Sequence, residues 1–305
     1  MNNQSPDLIT KSVLAVLVWF DVFDYALTAV EIARFSALFT RRVSIDEVLT
    51  ALANHPQVAE QNGYYYLCGR EICVTQRLQR FRTAESKFRR ARFMARLFGL
   101  LPAVKLVALC NSLAVANAEE GSDIDFFVVC RPGTLWLTRL ILTAPLIVLN
   151  LRPTPANQKD KICLSFLVSE TALNMSRLQC GEDDPYMRFW VETLQPLYDA
   201  GGLFEKFRQE NEWVTRQSSA TDGLFENPAM IVVGSDQTRP RSRSWIEQLM
   251  RRLQLWHFPP AIKSLANLDS RVIISDDILK FHVNDRRELY RQIFRQRLAV
   301  LMSKT

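Results

Sequence analysis

Two aspartates one residue apart, Asp123 and Asp125, open the run DIDFFVVC at 123–130. On a β-strand, residues i and i+2 project from one face, so both carboxylates stand together while Ile124 faces the other way. Two carboxylates at the head of an apolar strand are costly to desolvate unless a cation lies between them. Magnesium suits such a pair, because it takes carboxylates and phosphate oxygens and keeps several of its waters. Upstream, Asn111 and Ser112 follow the apolar run VKLVAL at 104–109 and precede LAVANA. A hydroxyl and free backbone N–H groups at such a turn form a concavity for a phosphate. The chemistry indicated is metal-assisted handling of a phosphorylated substrate.

A sheet must hold these residues. Runs at 104–109, 123–130 and 161–169 read as strands, and 134–150 reads as a helix that Pro145 should kink or split. Strand, connector, strand, helix, strand is an α+β or α/β core. On the run KICLSFLVS no acid stands between Ile162 and Val168; Ser165 reads as the polar side chain facing the aspartates, with Asp160 and Glu170 at the flanks. Cys110, Cys130 and Cys163, each in an apolar run, read as small buried hydrophobes.

Ahead of this core, three helical patterns end in a hairpin. The second helix begins at Thr28, and the third carries Ser44 followed by Glu47, a capping box. Asn62-Gly63 between β-prone runs is a two-residue hairpin turn. Three helices closed by a hairpin is the order of a winged helix. A long helix at 70–97 follows, with nine basic residues, Arg77 and Arg96 among them, against two acidic ones. Such a helix is a candidate for tracking nucleic-acid phosphates. Beyond residue 181 the chain reads as helical, interrupted by polar loops at 215–223 and 237–244. The run ISDDILKFHVNDRR reads as a helix start capped by Ser275; the alternative is a tail that folds back to bring Lys280 and His282 over the core.

The segment NSLAVANAEEGSDIDFFVV resembles the motif of the DNA polymerase beta-like nucleotidyltransferases, a Gly-Ser turn followed at short range by Asp-x-Asp on a strand, with Asn111 in place of the glycine. Together with the winged-helix-like N-terminus and LKFHVNDRR at 279–287, the chain is similar to bacterial predicted nucleotidyltransferases of unassigned substrate. The resemblance implies an α+β protein in which a small mixed sheet forms a nucleotidyltransferase core at 98–180. That core would lie between a winged-helix-like domain with its basic linker helix (1–97) and a helical C-terminal region (181–305). It implies transfer of a nucleoside monophosphate from an NTP to a hydroxyl of an unknown acceptor. Asp123 and Asp125 would hold two Mg²⁺ ions, and Asn111 and Ser112 the phosphates. Members that transfer nucleotides carry a third carboxylate on the next strand; Glu170, just past that strand's end, is the catalytic candidate here. Without such a base, the alternative is a catalytically weak or inactive nucleotide-binding or DNA-binding regulatory protein.

Composition sets the outer limits. A chain of 305 residues with 48% hydrophobic and 23% charged side chains is that of a folded globular protein, not a fibrous or low-complexity one. A net charge of +6 permits an anionic partner without demanding one. The six cysteines form no CxxC pair, which reads as reduced thiols in a cytoplasmic protein. The apolar stretch at 140–151 is too short for a membrane span, which needs about 20 residues, and reads as a buried helix.

Overall fold

Three helices and a hairpin open the chain: α1 (Pro6–Asp21), α2 (Ala29–Ser36), α3 (Ile45–Leu52), β1 (Val58–Gln61) and β2 (Tyr64–Leu67). The computed structural model describes residues 6–181, 183–214, 231–233 and 244–303. The polar stretches expected as loops at 215–223 and 237–244 lie outside the described residues, apart from Ser244. Thr28 and Ser44 each accept the N–H three residues on and are bonded in return by Glu31 and Glu47, so both helices start with full capping boxes. Asn62 and Gly63 both take positive φ, 55° and 80°, as the tight turn requires. The exposed positions of α3, Ile45, Asp46, Leu49 and Thr50, carry no cation, so that face offers nothing to a phosphate backbone.

The remaining elements are α4 (Ile72–Gly99), β3 (Val104–Leu109), α5 (Asn111–Ala114), β4 (Ile124–Cys130), α6 (Leu135–Val148), β5 (Ile162–Ser169), α7 (Pro185–Thr193), β6 (Gln195–Ala200), α8 (Leu203–Glu210), β7 (Ile231–Val233), α9 (Trp245–His257), α10 (Pro260–Leu265), β8 (Val272–Ile274), β9 (Ile278–Phe281) and α11 (Arg287–Met302). Seven strands form one open mixed sheet in the order β7-β6-β3-β4-β5-β9-β8, so the chain is α+β as expected. The pairs β4·β5 and β6·β7 are parallel and the others antiparallel.

The sheet is larger than expected, because the C-terminal region is not wholly helical: it supplies β6, β7, β8 and β9. QPLYDA hid its strand behind Asp199, whose carboxylate is spent accepting from the Leu203 and Phe204 N–H groups at the start of α8 (2.7 and 3.1 Å). Ser275 caps no helix. Its Oγ accepts from the Ile278 and Asp277 N–H groups (2.8 and 3.2 Å) and closes the β8–β9 turn. β9 then runs back along β5, Lys280 opposite Phe166, and carries the tail over the core.

Alternation along β4 divides the interior. Ile124, Phe126 and Val128 face α4 and α6, while Phe127 and Val129 join a second cluster with α1, α7 and α11. In that second cluster Trp19 of α1 packs against Phe189 and Phe294, and Phe127 against Phe166 and Trp190. The N-terminal helices therefore share their core with the sheet, and Asp21 holds Arg70 (2.7 Å) and Arg297 together. Pro145 falls in the last turn of α6, which runs unbroken to Val148. The stretch expected to be buried ends in exposed Ile147, Val148 and Leu149.

Four of the nine basic residues of the segment at 70–97 are committed to internal pairs. Arg70, ahead of α4, pairs with Asp21, Arg77 with Glu31 (2.8 Å), Arg80 with Glu119 (2.9 Å) and Lys87 with Asp160 (2.7 Å). Arg82, Arg89, Arg92 and Arg96 remain exposed. These four charges, part of what suggested a phosphate track, instead tie α4 and the residues before it to their neighbours.

Candidate functional site

Asp123 immediately precedes β4 and Asp125 sits within it, on the side where Phe127 and Val129 meet α1, α7 and α11. Their carboxylates do converge, as the i, i+2 spacing predicts. A third donor joins them from β5. Cys163 stands directly opposite Asp125 in the parallel ladder, and ligating atoms of Asp123, Asp125 and Cys163 lie within 4.8 Å of one another. Cys163 is thus no mere hydrophobic filler, and it, rather than Ser165, occupies the position beside Asp125. The ladder then slips: Asp125 pairs with Cys163 but Phe127 with Phe166, so β5 carries one extra residue. Such bulges re-aim side chains next to functional sites, and this one turns Ser165 into the same cavity.

Burial pushes both aspartates up, Asp123 to about 7, where the Asp125 charge adds to the effect. Burial likewise raises the Cys163 thiol, with Asp125 and Asp123 adding to it. A group of this kind, crowded and short of counter-charge, is suited to a divalent cation.

Asn111 has a different part from the one expected of it. It takes φ +59°, the left-handed turn that asparagine tolerates better than most residues. Its Nδ2 donates to Asp125 Oδ2 at 2.9 Å, and its Oδ1 accepts from the Tyr186 hydroxyl at 3.3 Å. Asn111 therefore positions a carboxylate. Ser112 is exposed at the start of α5 and is not among the residues that wall the cavity.

Lys87 holds the approach to the pair. Its buried ammonium donates to the Ser122 and Glu120 carbonyls (2.7 and 3.1 Å) and to Asp160 (2.7 Å), pinning the loop before Asp123 to the start of β5. This spends Asp160. Glu170, the expected base, is not brought beside the pair. Its N–H donates to the Cys130 carbonyl at the opposite end of the β4–β5 ladder, seven residues beyond Cys163 and so roughly 20 Å from it at strand rise. Among the described residues no third carboxylate accompanies the pair.

The roof is the segment that follows β9. A cavity of about 440 Å³ opens over the aspartates, walled by Ser165, Tyr186 and Trp190 and by residues 280–287 and Tyr290. Lys280 reaches this wall, but its ammonium is buried, donating to the Ser270 carbonyl (2.5 Å) beside Asp285 (3.8 Å); burial holds it down to about 8. Arg287 is buried between Asp184 (3.1 Å) and Asp285 (2.7 Å) and fixes the start of α11. Arg286, by contrast, is exposed on the wall and makes no ion pair among the described residues. Sequence reasoning passed over it, though its place at the end of LKFHVNDRR was a usable signal.

His282 Nε2 lies 3.1 Å from Ser165 Oγ. Burial, and then the Lys280 charge, hold the imidazole down to about 3, so it is neutral near pH 7. Between that value and the ordinary 6.5, the unfolded chain takes up a proton that the folded chain refuses. This contribution to stability is therefore present above about pH 6.5 and lost as the pH falls toward 3, by up to roughly 4 kcal/mol. Asp123 acts with the opposite sign between 3.8 and about 7. The His282 share is thus read as a difference: His282→Gln should flatten the acid side of the wild-type Tm profile, and parallel profiles would show that the imidazole is not buried.

Comparison of the chain with protein-family models, with curated proteins and with solved structures returns no match.

Proposed function

We propose that the chain is a divalent-cation-dependent nucleotidyltransferase that moves a nucleoside monophosphate from an NTP to a hydroxyl of an acceptor. The observation that carries this reading is the Asp123–Asp125 pair, converging on one face of β4 beneath a roofed cavity with the exposed Arg286 guanidinium on its wall, in no ion pair among the described residues. The donor set fits a metal: two half-buried carboxylates raised by desolvation, and at Asp123 also by its neighbour's charge, are relieved by a cation, with Cys163 as an adjoining softer donor. Asp123 and Asp125 would hold Mg²⁺, which when bound neutralises triphosphate charge and aligns the displacement. Asn111 keeps Asp125 turned into the cavity, with Tyr186 fixing the amide. Arg286 contacts the polyphosphate from the roof. Ser165, bonded to neutral His282, is the group on the acceptor side that can receive or pass a proton.

The absence of a third carboxylate beside the pair among the described residues favours a second reading, a protein that binds nucleotide and transfers it slowly or not at all. A nucleotide titration with and without Mg²⁺, followed by mass spectrometry of candidate hydroxyl acceptors for an added nucleoside monophosphate, tests both. Cation-dependent binding with transfer supports the enzyme, and binding alone supports the second reading. Cation-independent binding removes the first reading, and no binding removes both. Arg286→Ala should weaken NTP binding about tenfold with little effect on Tm, since charged hydrogen bonds contribute about 1.5–3 kcal/mol and the side chain packs into nothing. Unchanged NTP affinity would remove Arg286 from the site.

A further inference from the structure

The helix α9 is attached to the body the wrong way round for an ordinary surface helix. Its buried contacts include two polar anchors. The Glu247 carboxylate accepts from the Trp136 and Leu137 N–H groups (2.6 and 3.0 Å), capping α6. Gln254 donates to the Trp136 carbonyl (2.7 Å) and accepts from Arg139 (2.5 Å). Met250 and Leu255 pack against the core beside them, but the other large apolar side chains point outward. Trp245 and Trp256 are 73% and 77% exposed, and Leu249 and Leu253 49% and 48%. At helical spacing these four and Ile246 fall within an arc of roughly 100°. A stripe of that width normally faces a core.

Charge says what it fits. Glu247 is the sole acid of α9 and is consumed inside as a cap; Arg251 pairs with Asp276 (3.3 Å) at the edge, and Arg252, in line with the stripe, and Lys263 on α10 give the exposed surface its positive charge. Tryptophan is at home where hydrocarbon meets water, and a helix with Trp and Leu on one face and arginine beside it lies in the plane of an anionic bilayer surface. A second copy is the poorer fit: the stripe offers on the order of 500 Å² per chain, short of the ~800 Å² each partner of a stable complex buries. We propose that α9 is a peripheral membrane-docking helix, inserting Trp245, Leu249, Leu253 and Trp256 into the headgroup region of anionic lipid. No described helix is long and apolar enough to cross a membrane, so the contact would be superficial.

Flotation of the full chain with phosphatidylglycerol-containing vesicles, against pure phosphatidylcholine, tests the proposal. Association with the anionic vesicles is expected, weakening with salt. It should fall at least tenfold for Trp245→Ser/Trp256→Ser and severalfold for Arg252→Glu, both surface changes that leave the circular dichroism unaltered. Absence of flotation would overturn the proposal, as would flotation indifferent to these variants. So would concentration-dependent dimerisation that the double tryptophan variant abolishes, which would assign the stripe to a second copy. Protection of both tryptophans from acrylamide in the lipid-free protein would overturn it too, because the chain itself would then cover the stripe.

Discussion

Asp125→Asn is expected to abolish divalent-cation-dependent NTP binding, a loss of about a hundredfold or more, while leaving the fold intact or slightly more stable. Asp125 is half-buried, its carboxyl is raised by desolvation, and it accepts from Asn111 Nδ2 at 2.9 Å. An asparagine of the same shape removes the charge that a cation needs and relieves the repulsion on Asp123. Metal charge stabilisation amounts to several kcal/mol, and each 1.4 kcal/mol is a factor of ten in affinity. The opposing effects on binding and stability make the result diagnostic. Calorimetric titration of NTP with Mg²⁺ or Mn²⁺ reads the first, and cation-free thermal melting reads the second. Unchanged cation-dependent affinity would show that the pair is a structural feature and that the metal site lies elsewhere. Asn111→Ala should give a milder version of the same loss, since it frees Asp125 without removing it.

The parts of this site that were legible in the sequence are those with local causes. Short apolar runs gave β3, β4 and β5, and the i, i+2 spacing put Asp123 and Asp125 on one face. Capping boxes and the Asn-Gly turn gave the N-terminal helices and hairpin. What was hidden depends on register and on distant chain. Nothing within KICLSFLVS tells which residue will stand opposite Asp125, because a one-residue bulge decides it and only the paired strand sets the bulge. Glu170 looked close because it is near the strand in sequence, whereas the strand's own length carries it away. The cationic helix misled in a similar way. Lys87 and Arg77 read as part of a surface for phosphates, yet their acidic partners, Asp160 and Glu31, come from segments far apart in the chain. The tail reading turned on Ser275, whose hydroxyl can cap a helix or close a turn with equal ease.

Cys163→Asp is the substitution expected to change turnover most, raising it by about 10²–10⁴-fold, the usual contribution of a positioned general base. Cys163 lies directly across the ladder from Asp125, with its sulfur within 4.8 Å of both aspartates. An aspartate there would supply the carboxylate that the strand lacks, and its carbon stem matches the cysteine's to Cβ. Ser165→Asp is the weaker version, because Ser165 lies past the bulge and is already bonded to His282 at 3.1 Å. The substitution also carries its own internal check. A third carboxylate beside two that burial already raises should lower the cation-free Tm, and Mg²⁺ should restore it, since like charges crowd until a cation is shared. Cys163→Ser, with no charge, should change neither. If Cys163→Asp shows the Mg²⁺-dependent stabilisation and faster transfer, the fold supports nucleotidyl transfer and the native thiol is what limits it. If it shows the stabilisation with no transfer, while wild type and variant bind NTP alike, the site is a nucleotide-binding one and the missing base was not the obstacle.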